Sequence, residues 1–155
     1  MTVFDKTIEL VILAILAYLI VFTVYSWTKL PDVIPSHFNF KGEIDGYGSK
    51  STVFIMVPAA IVLYSLLTVV YRFPHIYNYI VEITTKNAET QYKLAMRLML
   101  ILKFLIISVF TYIQTISILS AFGKELVLGI WFIPIFVFVM FGTIGVYIYK
   151  SLKAG

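Results

Sequence analysis

Residues 30–50 read LPDVIPSHFNFKGEIDGYGSK, one long polar, turn-rich stretch between two hydrophobic runs. It holds Asp32, Glu43 and Asp45, three of the chain's eight acidic residues, and His37, one of its two histidines. Leu30-Pro31 and Ile34-Pro35 fix φ at two positions and bias the residue before each proline to extended backbone. The chain therefore leaves the first apolar run as a stiff, non-helical strap. Ser36-His37-Phe38-Asn39-Phe40 alternates polar and apolar side chains, which is a short strand pattern. Lys41-Gly42 and Asp45-Gly46 are turn dipeptides, and Ser51 or Thr52 is placed to cap the next helix. The expected form is a compact cap with Phe38, Phe40, Ile44 and Tyr47 turned toward the membrane.

The flanking sequence says what the cap sits on. Of 155 residues, 61% are hydrophobic and only 13% charged, about half the charged fraction of an ordinary soluble domain. The surplus apolar surface needs lipid. Four runs, at residues 8–27, 52–71, 98–122 and 126–149, reach the roughly 18–20 apolar residues that cross about 30 Å of hydrocarbon. The fold class is thus an all-α integral membrane protein: one domain of four transmembrane helices, with the turn-rich loop between the first two. The first run is too long, and Val24-Tyr25-Ser26-Trp27 too poor a cleavage site, for a signal peptide. It is expected to stay as a helix. Cysteine is absent, which excludes a disulfide framework.

Counting Lys and Arg sets the orientation. Lys6, Arg72, Lys86, Lys93, Arg97, Lys150 and Lys153 lie on the side of the termini, against Lys29, Lys41, Lys50 and Lys124 on the side of the loop. Cytoplasmic segments carry the excess, so a multi-pass cell-membrane protein with both termini cytoplasmic and an extracellular loop is expected. The net charge of +4 gathers at run ends, where it meets headgroups. No basic run is interleaved with exposed aromatics, so the bilayer is the expected partner and nucleic acid is not.

Within the cytoplasmic connector, residues 72–97, Ile76, Ile80 and Ile83 recur at helical spacing and suggest a short helix lying in the interface. Asn87 is placed to cap a third helix, about 36 residues long, whose first turns project beyond the bilayer. Pro58 lies two turns inside the second run and kinks it. Gly129, Gly142 and Gly145, with Pro134 between, favour close packing of the fourth. Lys103 is the one charge deep inside a run, and Gln114 and Ser117 share its face. It lies six residues past Arg97, about 9 Å deeper. A structural pair, snorkelling to the headgroups and a functional site are the three readings of it.

The loop admits several chemistries. His37 with Asp32, Glu43 and Asp45 is the candidate set for a divalent metal, although zinc prefers several His or Cys ligands and no HExxH spacing occurs. Calcium would accept the oxygens, but the spacing is not an EF-hand loop. Acid–base work by His37 with a carboxylate has no accompanying nucleophile pattern. The plainer reading is a hydrogen-bonded cap in which His37, Asn39 and the acids hold the loop's own shape, with no cofactor.

The pattern L-P-D-x-I-P-x-H-F-N-x-x-G-x-x-D-G-x-G-S-K resembles the signature of a bacterial and archaeal family of membrane domains of unknown function, domain of unknown function 1648. The domain also forms the N-terminal part of SdpI-type immunity proteins. The motif falls on Pro31, Asp32, Pro35, His37, Phe38, Asn39, Gly42, Asp45, Gly46 and Lys50, with no departure. The resemblance covers the first two spans and implies a membrane-embedded immunity or signalling role. The loop would then recognise an extracellular peptide or small ligand, and the segment with Lys86, Lys93 and Arg97 a cytoplasmic protein partner. A membrane enzyme or metal-binding protein using His37 with nearby carboxylates, and a small transporter using Lys103 and Gln114 or a plain accessory subunit, are the alternatives.

Overall fold

The structure, a computed structural model, describes residues 2–124 and 126–155. Glu125, in the expected link between the last two spans, lies outside the described residues. Among these, four helices are long and apolar enough to cross a membrane: α1 (Val3–Trp27), α2 (Val53–Tyr71), α3 (Ala88–Ala121) and α4 (Phe132–Lys153). A two-stranded antiparallel sheet, β1 (Val33–Phe38) with β2 (Ile44–Ser49), joins α1 to α2. The fold is therefore mostly helical rather than all-α.

α1 begins five residues before the apolar run because a capping box starts it. The Thr2 hydroxyl accepts from the Asp5 N–H at 3.2 Å, and the Asp5 carboxylate accepts from the Thr2 N–H at 2.7 Å. Its buried face follows Asp5, Ile12, Leu16, Leu19, Thr23 and Ser26, steps of three, four and seven that hold one stripe along a helix. Facing it, α3 buries Leu100, Lys103, Ile107, Thr111 and Gln114. Ile12, Leu16, Leu19, Leu100 and Ile107 meet fully buried Ala60 of α2 in one core, where a small residue lets helices approach closely. The outward faces keep their apolar side chains exposed, as Leu10, Val62 and Phe138 do. That is the surface lipid would cover.

α3 is the spine. It packs against α1, α2, α4 and β1, and its 34 residues span about 51 Å. Its first turns are not a free arm. Fully buried Gln91 donates from Nε2 to the Ser151 carbonyl at 2.9 Å and accepts from the Ser151 hydroxyl at 2.6 Å, tying them to the last turn of α4. Asn87 does stand at the N-terminus of α3, but its side chain turns back to Thr84 and Glu82 instead of capping the helix.

Two expectations about the connections fail, each for a local reason. The interfacial helix at residues 76–85 does not form; a single 3-10 turn, Pro74–Ile76, is followed by irregular chain. The run Tyr-Ile-Val-Glu-Ile-Thr-Thr is dense in β-branched and aromatic residues of modest helix propensity. Tyrosines hold it instead: Tyr77 donates to the Val70 carbonyl at 2.9 Å and Tyr79 to the Pro74 carbonyl at 2.8 Å. Burial, with the phenols of Tyr147, Tyr92 and Tyr77 nearby, pushes the Tyr79 hydroxyl well above its ordinary pKa.

Likewise the fourth helix starts at Phe132, not at 126. Gly129 takes a left-handed φ of +85°, which ends regular structure before it. Pro134 then falls in the first turn, where its missing N–H leaves no bond broken. Residues 126–131 fold over the hairpin instead: Leu128 is buried and donates its N–H to the Gly42 carbonyl at 2.9 Å.

Candidate functional site

The hairpin is built from its base to its tip by residues of the motif. At the base, the Lys50 ammonium lies 3.0 Å from the Asp32 carboxylate and the Lys50 N–H donates to the Asp32 carbonyl at 2.9 Å. Above this lock β1 and β2 pair with Val33 opposite Ser49 and Phe38 opposite Ile44, with an irregularity around His37. Pro31 sits between α1 and the strand, where its fixed φ suits extended chain. Thr52 stands at the N-cap of α2, as expected, but makes no side-chain cap bond; Ser49 caps the 3-10 turn Lys50–Thr52 just before it, its hydroxyl accepting from the Ser51 N–H at 3.4 Å.

At the tip one side chain organises the turn. Asn39 Oδ1 accepts from the N–H groups of Lys41 at 2.8 Å and Glu43 at 3.1 Å, and Asn39 Nδ2 donates to the Glu43 carboxylate at 2.9 Å. This is how an Asx side chain imitates a backbone turn. Gly42 has a φ of +75°, and a Cβ there would lie 2.6 Å from the Gly129 nitrogen. Both backbone shape and close approach require glycine at this position.

The hairpin is fixed to the bundle by Ile34, not by the aromatics expected to do so. Ile34 is 1% exposed and packs with Leu30, Val53 and Ile118. The Pro35 carbonyl accepts a short hydrogen bond from the Ser117 hydroxyl. Phe38 and Ile44 are half-buried, whereas Phe40 is 89% and Tyr47 67% exposed.

His37 and Asp45 are left over from this construction. His37 Nδ1 stands 2.5 Å from Asp45 Oδ1 across the two strands, and both side chains are open to the surroundings. A Cβ at Gly46 would lie 2.9 Å from His37 Cβ, so glycine there is what lets the imidazole lie against the opposite strand. Of the four proposed metal ligands, only these two meet. Asp32 is bound to Lys50 and Glu43 to Asn39, and among the described residues no three His, Cys, Asp or Glu side chains gather as ligands. The donor set does not fit a resident metal.

Within the spans, Lys103 is 2% exposed and turns inward rather than snorkelling. Its ammonium lies 2.7 Å from the Glu9 carboxylate and 3.0 Å from the Thr68 hydroxyl. Tyr64 donates to the same carboxylate at 2.6 Å and presents its ring 4.7 Å from the ammonium. Three helices thus share one charged cluster. The partners Glu9, Tyr64 and Thr68 were not foreseen, although Glu9 continues the α1 stripe three residues before Ile12. Gln114 shares the Lys103 face but has its own partners, donating to the Thr23 hydroxyl at 3.1 Å and to the Val53 carbonyl at 2.7 Å. The latter neighbours the carbonyl that Pro58 leaves without its helical N–H.

Residues 12–62 match the family model for a domain of unknown function, DUF1648. The matched segment takes in most of α1, the whole hairpin and the first half of α2, a third of the chain. It contains every residue of the hairpin motif. Several groups that brace it lie beyond the DUF1648 segment: Ser117, Ile118, Leu128 and Gly129 come from α3 and the strap before α4. No curated protein matches the chain, and no solved structure does either.

Proposed function

We propose that this chain is a multi-pass cell-membrane recognition protein whose hairpin faces outward and binds an extracellular peptide or small ligand. The observation that carries the reading is the division of labour within the motif. Asp32, Lys50, Asn39, Gly42 and Ile34 are consumed in holding the hairpin, while His37 and Asp45 form an exposed polar pair with bare Phe40 and Tyr47 on the same hairpin. Exposed aromatics beside a polar pair on a rigid element are what recognition surfaces are made of. The seven-to-four excess of Lys and Arg at the other end favours the outward orientation. Resemblance to the domain of the SdpI-type proteins adds immunity against a secreted peptide as the specific form of recognition.

The experiment compares cells lacking the protein with cells expressing it as wild type or as His37→Ala, challenged with the secreted peptides of the native host. Wild type is expected to protect and His37→Ala to lose protection at equal membrane abundance. Equal survival of all three would sink the immunity form. Because the chain has no cysteine, a single Lys41→Cys reports the orientation. Labelling of intact cells by an impermeant maleimide is expected, and labelling only after lysis would place the hairpin inside.

A further inference from the structure

The two ends of the bundle differ in charge. Among the described residues, Lys29, Lys41, Lys50 and Lys124 around the hairpin are nearly balanced by Asp32, Glu43 and Asp45, whereas the end with the termini carries seven Lys and Arg against Asp5, Glu9, Glu82 and Glu89. At that positive end a groove of about 400 Å³ runs between α3 and α4. Its walls are apolar, with Leu98, Ile101, Phe138 and Val146 among them, and Arg97 and Lys150 line it as well. Gly142 also lines the groove, and a Cβ there would meet nothing within 4 Å, so the space is left open by an absent side chain. α4 packs chiefly on α3 and keeps most of its surface exposed, so the groove lies on the flank that lipid reaches.

We propose that this groove is a binding site for an anionic glycerophospholipid. An acyl chain lies along Leu98, Ile101, Phe138 and the gap at Gly142, and the headgroup phosphate meets the cationic end formed by Arg97 and Lys150. Apolar walls alone would take any lipid chain. The two cations, on an end where cations outnumber acids, select negative charge. Arg97 can serve because its contact with Asp5 is long for an ion pair: Nε stands 3.9 Å from Asp5 Oδ1, the guanidinium lies 5.3 Å from the Phe4 ring, and the side chain is half exposed. The guanidinium keeps donors free for phosphate. The reading is independent of the hairpin's ligand.

The test is native mass spectrometry of the full chain released from nanodiscs holding equal phosphatidylglycerol and phosphatidylcholine. Wild type is expected to retain phosphatidylglycerol preferentially. Lys150→Gln should weaken retention roughly fivefold, the effect of losing one cation near anionic lipid. Gly142→Leu, which fills the groove without touching charge, should abolish it, and Lys153→Gln, a cation that does not line the groove, should leave it unchanged. Arg97→Gln also disturbs the contact with Asp5, so the other three variants decide. Equal retention of both lipids by wild type would overturn the proposal. So would undiminished retention by Gly142→Leu, equal loss with Lys153→Gln (diffuse surface charge), or a groove filled by a second copy of the chain, seen as a lipid-free dimer.

Discussion

Asn39 in the hairpin and Lys103 in the bundle are both polar residues that organise their surroundings, and they do it at opposite ranges. Asn39 finds all its partners within four residues of itself. Lys103 finds its partners 94 and 35 residues away, on two other helices. Asn39 works at an exposed turn, where water competes for every bond and each is worth little net. Lys103 works where no water reaches it, so its charge must be answered by Glu9 or not carried at all. One region holds its own shape; the other fixes the register of α1, α2 and α3 against each other.

The largest expected effect breaks the long-range side of this contrast. Lys103→Met leaves Glu9 half-buried without its counter-charge and should cost about 3–5 kcal/mol in unfolding from detergent. Glu9→Gln with Lys103→Met should recover most of that, because the uncompensated charge is gone. A neutral single variant would mean that the pair does not hold the helices.

Next comes the junction of the two regions. Gly42→Ala forces a left-handed φ on alanine and pushes a methyl group into the Gly129 backbone, so a loss of about 1–3 kcal/mol is expected. The comparison variant Gly142→Ala adds a methyl group to open space in a helix. It should be neutral or slightly stabilising, since alanine is the better helix former. Similar losses at both positions would show that the hairpin does not lean on the strap before α4. Asn39→Ala removes bonds to two N–H groups and should cost about 1 kcal/mol.

The same contrast explains what could be read from the residues alone. Four spans follow from four long apolar runs, since little else hides such stretches from water. The tight hairpin tip follows from Asn39, Lys41 and Gly42, whose chemistry is local. β2 was harder to see, because IDGYGS carries two glycines and has little strand character of its own. It is a strand because β1 lies beside it, and Gly46 is small because His37 lies opposite. The start of α4 was misplaced since hydropathy does not register the left-handed turn at Gly129. Glu9 stands at the mouth of the first apolar run, with nothing in the sequence to mark it as a partner of Lys103. Only the packing of α1 on α3 turns it toward Lys103, and no spacing within either helix records that encounter.

The smallest effect is also the most telling. The His37–Asp45 pair is exposed and bridges strands already held by Asp32, Lys50 and Asn39, so His37→Ala should change stability by less than about 0.5 kcal/mol. The decisive measurement is the thermal unfolding midpoint of His37→Ala set beside that of Asn39→Ala in the same detergent. A midpoint unchanged from wild type for His37→Ala, with a clear drop for Asn39→Ala, is the predicted result and leaves the pair free for recognition. A drop for His37→Ala as large as that for Asn39→Ala would contradict it, and would make the imidazole one more brace of the hairpin.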